Sequence, residues 1–77
     1  MKLGIYEHYS GKRYQVIGVA RNSETHQEFV VYQTLYDDFG LWLRPVEIFS
    51  ETLEIKGVPV PRFKFISNGV AEAPKVR

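Results

Sequence analysis

Trp42 and Arg44 stand two residues apart in Leu41-Trp42-Leu43-Arg44, a spacing that puts both on one face of a strand. A guanidinium is a planar fork that matches a carboxylate or phosphate with two parallel hydrogen bonds. An indole beside it can serve as an apolar floor or simply stack on it. Arg62-Phe63 pairs an arginine with an aromatic ring a second time. Near the start of the chain Tyr6, His8 and Tyr14 offer two phenols and an imidazole, and Tyr6 and His8 share a strand face. Pairing of the first two strands would bring Tyr14 to the same concavity. Tyr6, His8, Tyr14, Trp42, Arg44 and Arg62 are therefore the candidate ligand-binding residues, suited to a small anionic ligand or a peptide carboxylate. The competing structural reading makes the rings ordinary core residues and the arginines their stacking partners.

Other chemistries find less in this sequence. A nucleophilic site needs Ser10, Ser23, Thr25 or Ser50 within about 3 Å of a histidine base that an acid orients. Ser23-Glu24-Thr25-His26 lies instead in a polar stretch, where hydroxyls cap backbone N–H groups. A small enzyme using His8 as acid or base is one alternative, although the balance of residues favours no catalysis, and no catalytic residue is assigned. Single-stranded nucleic-acid binding is another alternative. Arg13, Arg21, Arg44, Arg62 and Lys64 could form a basic track, with Tyr9, Tyr32, Tyr36 and Trp42 stacking bases. Ten Lys and Arg against nine Asp and Glu leave a formal charge of +1, far from the surplus of a dedicated nucleic-acid binder.

The 77 residues contain no cysteine, so disulfides are excluded, and a zinc site would have to come from two histidines and carboxylates. No metal and no cofactor are expected. No apolar run approaches the ~18 residues of a membrane helix, which leads to an expectation of a cytoplasmic chain with no membrane partner. Its partner, if a macromolecule, is not named by composition.

These side chains need a scaffold, and the punctuation suggests which one. Ser10-Gly11, Asn22-Ser23, Asp38 to Gly40 and Lys56-Gly57 separate segments rich in β-branched and aromatic residues, the rhythm of a meander closing into a barrel. Gly4 to Tyr9 reads as a short or edge strand. In Arg13 to Ala20 the apolar parity shifts near Gly18, the mark of a bulge or bend. Arg21 to Gln27 is a hairpin loop, and Phe29 to Leu35, apolar on both faces, reads as an inner strand covered twice. Asp37 to Gly40 is a turn, with Gly40 offering positive φ. Leu41 to Arg44 is a strand, and Pro45 starts a helical turn whose stripe is Val46, Phe49 and Leu53. A last hairpin runs from Leu53 through Gly57 to Phe65. The expected fold is mostly β: a small SH3-like barrel of about five antiparallel strands with one short helical turn, or alternatively an OB-like barrel. Residues 1–66 form a single domain, and 67–77 a disordered tail.

The blocks Gly4-x-Tyr6-x-His8-Tyr9-x-Gly11-x-x-Tyr14, Ser23-Glu24-Thr25, Val31-Tyr32, Leu41-Trp42-x-Arg44-Pro45-x-x-x-Phe49 and Pro61-Arg62-Phe63 together resemble the small bacterial family known as domain of unknown function 1653. The resemblance runs from Gly4 to Phe65, and the ordered series of blocks is more specific than any one of them. Where the family pattern usually has a lysine before the first glycine turn, this chain has Ser10. The resemblance implies a compact β domain and carries no activity with it.

Overall fold

Alternation of burial along Glu28–Thr34 sets the frame. Val30, Tyr32 and Thr34 are buried, while Phe29, Val31 and Gln33 between them are half-covered, the period-two pattern of a strand with one face on a core. The computed structural model describes residues 1–68. Its elements are β1 (Gly4–His8), β2 (Arg13–Arg21), β3 (Glu28–Thr34), β4 (Leu41–Pro45), α1 (Val46–Phe49), β5 (Thr52–Ile55), β6 (Val58–Pro61) and β7 (Phe63–Ser67). The described residues thus form a mostly β fold of seven strands and one short helix. All pairings are antiparallel: one sheet runs β4-β3-β2-β1-β7, and β5 and β6 form a second.

The strand count exceeds the five or so expected because the region after α1 makes three short strands rather than one hairpin. Lys56 and Gly57, both with positive φ, join Ile55 to Val58, as a two-residue hairpin connection favours. β7 then leaves this ribbon and pairs with β1. β1 is therefore not an edge strand: it lies between β2 and β7. At Gly4, with φ of +141°, a Cβ would collide with the Ser67 carbonyl, so only glycine lets the two strands meet there.

The edges of the large sheet, β4 and β7, do not pair, and no closed barrel is found among the described residues. The sheet is instead curled until side chains bridge its edges: the Arg44 guanidinium of β4 lies over the Phe63 ring of β7, 5.6 Å from its centroid. Part of that curl comes from β2, where the pairing with β3 slips between Val16 and Gly18 and leaves Ile17 as an extra residue. Such a bulge increases local twist, and it falls where the parity of the sequence breaks.

Inside the curl, Tyr6, Tyr14, Val16, Val30, Tyr32, Phe49 and Phe63 form one buried cluster. Phe49 and Phe63 stack nearly parallel with centroids 4.1 Å apart. Edge-to-face contacts then join Tyr6 to Phe49 and Tyr14 to Phe63 and Tyr32. Each such pair adds about 0.5–1.5 kcal/mol beyond area burial. Pro45 opens α1 as expected, but the helix stops at Phe49, and Leu53 lies on β5 rather than on a helical stripe.

Two further expectations change. β3 is fully buried on one face only, since Phe29, Val31 and Gln33 on the other are no more than half-covered. In the turn before β4, positive φ falls on Asp37 and Phe39 rather than on Gly40. Ser67 belongs to β7, opposite Ile5, and residues 69–77, most of the expected tail, lie outside the described residues. Among the described residues no helix is long and apolar enough to cross a membrane, and no group of three or more His, Asp or Glu is placed to hold a metal ion.

Candidate functional site

Strand register assembles the site. Tyr32 on β3 stands opposite Trp42 on β4 and Val16 on β2, while Thr34 stands opposite Tyr14. Trp42 and Arg44 thus share the concave face with Tyr32, as their two-residue spacing requires. Beyond Thr34 the chain turns through Tyr36, Asp37 and Asp38 and returns at Gly40, whose carbonyl accepts from the Thr34 N–H. The result is a concave pocket of about 350 Å³ lined by Lys12, Tyr14, Tyr32, Thr34, Tyr36, Asp37, Asp38, Trp42 and Arg44.

Each wall has a fixed polar group. The Tyr14 and Tyr36 hydroxyls are 2.8 Å apart, so one phenol donates to the other. Burial, the hydrogen bond to Tyr36 and the neighbouring phenols push the Tyr14 pKa upward, only partly opposed by Arg44. Tyr14 is therefore a neutral hydrogen-bonding group across the physiological range. Arg44 is half-buried, and its Nε donates to the Tyr32 hydroxyl at 3.3 Å. Among the described residues no carboxylate lies within ion-pair distance of its guanidinium. Lys12 Nζ sits 4.8 Å from the Tyr36 ring centroid. Asp38 Oδ1 accepts from the Gly40 N–H at 3.0 Å, which holds that carboxylate at the turn. Trp42 is 53% exposed, whereas Thr34 is only 6% exposed and its Oγ1 has no hydrogen-bond partner.

Of the six residues singled out from sequence, three line this pocket: Tyr14, Trp42 and Arg44. Arg44 stacks on Phe63 rather than on Trp42. Tyr6 points inward, but it packs against Phe49 and Phe65 and donates its hydroxyl to the Lys2 carbonyl, which makes it a core residue. Arg62 is tied to Glu51 through an Nη2–Oε1 contact of 2.7 Å and lies outside the pocket lining. His8 shares the inward face with Tyr6, and its ring is 5.0 Å from that of Phe63. It lines a second hollow of about 330 Å³ with Glu7, Tyr9, Gly11, Pro59, Val60, Pro61 and Lys64. There Nδ1 accepts the Ser10 N–H and meets the Ser10 hydroxyl at 2.8 Å. Burial lowers the His8 pKa, and the charges of Arg62 and Arg44 lower it further.

Lys12, Thr34, Asp37 and Asp38 were not among the candidates. The two aspartates read as turn residues, which Asp38 also is. Lys12 carried one signal: it begins the approach to β2 two residues before Tyr14, on the same strand face. A threonine at the end of an apolar strand carries none. The Ser23 to His26 stretch is a loop as expected, but of the expected hydroxyl caps only Thr25 Oγ1 acts, accepting from the Gln27 N–H, while the Asn22 amide Oδ1 accepts from the Glu24 and Thr25 N–H groups.

A family model described as "Protein of unknown function (DUF1653)" matches residues 4–65. Among solved structures, the crystal structure of a protein belonging to DUF1653 from Bordetella bronchiseptica is 35% identical, with a TM-score of 0.81 over 97% of this chain and 95% of that one. No curated protein matches the chain.

Proposed function

The chain belongs to the DUF1653 family, and from its pocket we propose that it is a binding module whose ligand presents a carboxylate or similar small anionic group to Arg44. The observation that carries this reading is the state of that arginine. Arg13 and Arg62 have carboxylate partners in Glu7 and Glu51, whereas Arg44 is half-buried on an aromatic wall with no carboxylate partner among the described residues. A charge held out of bulk water without a counterion is costly, and a ligand carboxylate would relieve that cost through two parallel hydrogen bonds. Trp42 supplies an exposed apolar surface beside it, and Tyr14, Tyr32 and Tyr36 supply hydroxyls. Sites for small ligands combine such apolar walls with a few polar groups that fix orientation.

The alternatives draw less support. A nucleic-acid strand would bring several phosphates past Asp37 and Asp38, which line the same pocket. A His8-centred reaction would take place in the other hollow, where the hydrogen-bond partner of the imidazole Nδ1 is Ser10 rather than an orienting carboxylate.

Trp42 is the sole tryptophan, so its fluorescence reports on the pocket. Titration with N-acetyl-phenylalanine should give a saturable change, at least tenfold weaker with the corresponding amide and with Arg44→Lys, which keeps the charge but loses the fork. Equal responses to acid and amide would overturn the reading.

A further inference from the structure

We propose, resting on the anion-binding reading of Arg44, that the ligand is a zwitterion such as a short peptide with free ends, its carboxylate at Arg44 and its ammonium among Asp37, Asp38 and Trp42. The pocket is dipolar. One end holds the Arg44 guanidinium, and the other holds two carboxylates against the single ammonium of Lys12, which lies over Tyr36. A purely anionic ligand would leave Asp37 and Asp38 facing it. An ammonium there gains two counter-charges and the faces of Trp42 and Tyr36, since aromatic rings attract cations.

Each charged end is fixed by the fold. Asp38 is held at the turn by the 3.0 Å hydrogen bond from the Gly40 N–H, and the Arg44 guanidinium is held against the Phe63 ring and the Tyr32 hydroxyl. A ligand carrying both an ammonium and a carboxylate meets an opposite charge for each within one pocket.

Calorimetry with Ala-Phe, N-acetyl-Ala-Phe and Ala-Phe amide tests this. Ala-Phe should bind at least tenfold tighter than either blocked form, and Asp37→Asn with Asp38→Asn should abolish the advantage over the acetylated form. Asparagine keeps the Gly40 acceptor and tolerates the positive φ of Asp37, so this variant should stay folded, which its far-UV spectrum checks. Equal binding of Ala-Phe and N-acetyl-Ala-Phe would overturn the zwitterion while leaving the carboxylate reading intact. Failure of all three peptides and of N-acetyl-phenylalanine to bind would overturn both.

Discussion

Arg62 and Glu51 are joined twice, by the 2.7 Å side-chain ion pair and by a 2.9 Å hydrogen bond from the Arg62 N–H to the Glu51 carbonyl. The Arg62 carbonyl in turn accepts from the Tyr9 N–H, so this pair fastens the chain leaving α1 to the start of β7 and the end of β1. Arg62 spends its charge on the fold, whereas the charge of Arg44 has no such partner among the described residues.

Replacement of Arg62 by alanine should therefore cost stability and spare the pocket. The pair is partly exposed, so a loss of about 1 kcal/mol is expected in urea unfolding, with the Trp42 response to N-acetyl-phenylalanine unchanged. A variant as stable as the parent that no longer responds to the carboxylate would return Arg62 to the site.

Phe49 is the member of the aromatic cluster on which the curl depends, because α1 has only four residues and buries that ring alone. Phe49→Ala should cost about 3–5 kcal/mol, the range for a large aromatic removed from a core. In a chain this small, that is enough to abolish a cooperative thermal transition. A melting temperature within a few degrees of the parent's would show that the Phe49–Phe63 stack does not hold the sheet.

Thr34→Val should hold or raise stability and leave binding unchanged. The two side chains are nearly the same shape, and valine removes a buried hydroxyl that has no partner, so unfolding free energy should stay level or rise by about 1 kcal/mol. Ala-Phe affinity measured by calorimetry should be unchanged, because that oxygen is closed off from the pocket. A variant that loses stability and binds as before would mean that the hydroxyl serves the fold.

His8 should titrate below its ordinary value of 6.5, followed through its ring proton shifts. Because the folded pKa is depressed, the unfolded chain binds the proton more readily. The contribution of His8 to stability is then full above 6.5 and is lost as pH falls through the folded value. Arg62→Ala or Arg44→Ala should raise the midpoint by removing a nearby positive charge. A midpoint at or above 6.5 in the parent would contradict the packing of this ring.

Features set by neighbours in the chain were legible from residue types. The parity break at Gly18 located the bulge, and two-residue spacing placed Trp42 and Arg44 together. The Asn22 to Gln27 loop followed from its polar, capping residues. What depends on distant partners was not legible. β1 looks like an edge strand until β7, more than fifty residues later, takes its free side. Arg62 looks as available as Arg44 until the β5–β6 hairpin returns it to Glu51, eleven residues earlier in the chain, which claims it. Closure of the barrel was overestimated because strand rhythm reports the number of turns and not whether the last edge meets the first. Thr34 became visible only once Tyr14 stood opposite it and the turn left its hydroxyl without a partner.

The most direct measurement is an amide and indole chemical-shift map of the protein titrated with N-acetyl-phenylalanine, repeated on Arg44→Ala. The expected map is confined to Tyr14, Tyr32, Thr34, Tyr36 and the Trp42 indole, and it vanishes in the variant while the dispersed β-sheet spectrum persists. Shifts centred on His8, Tyr9 and Lys64, or a map that survives the loss of Arg44, would contradict the assignment of ligand binding to this pocket.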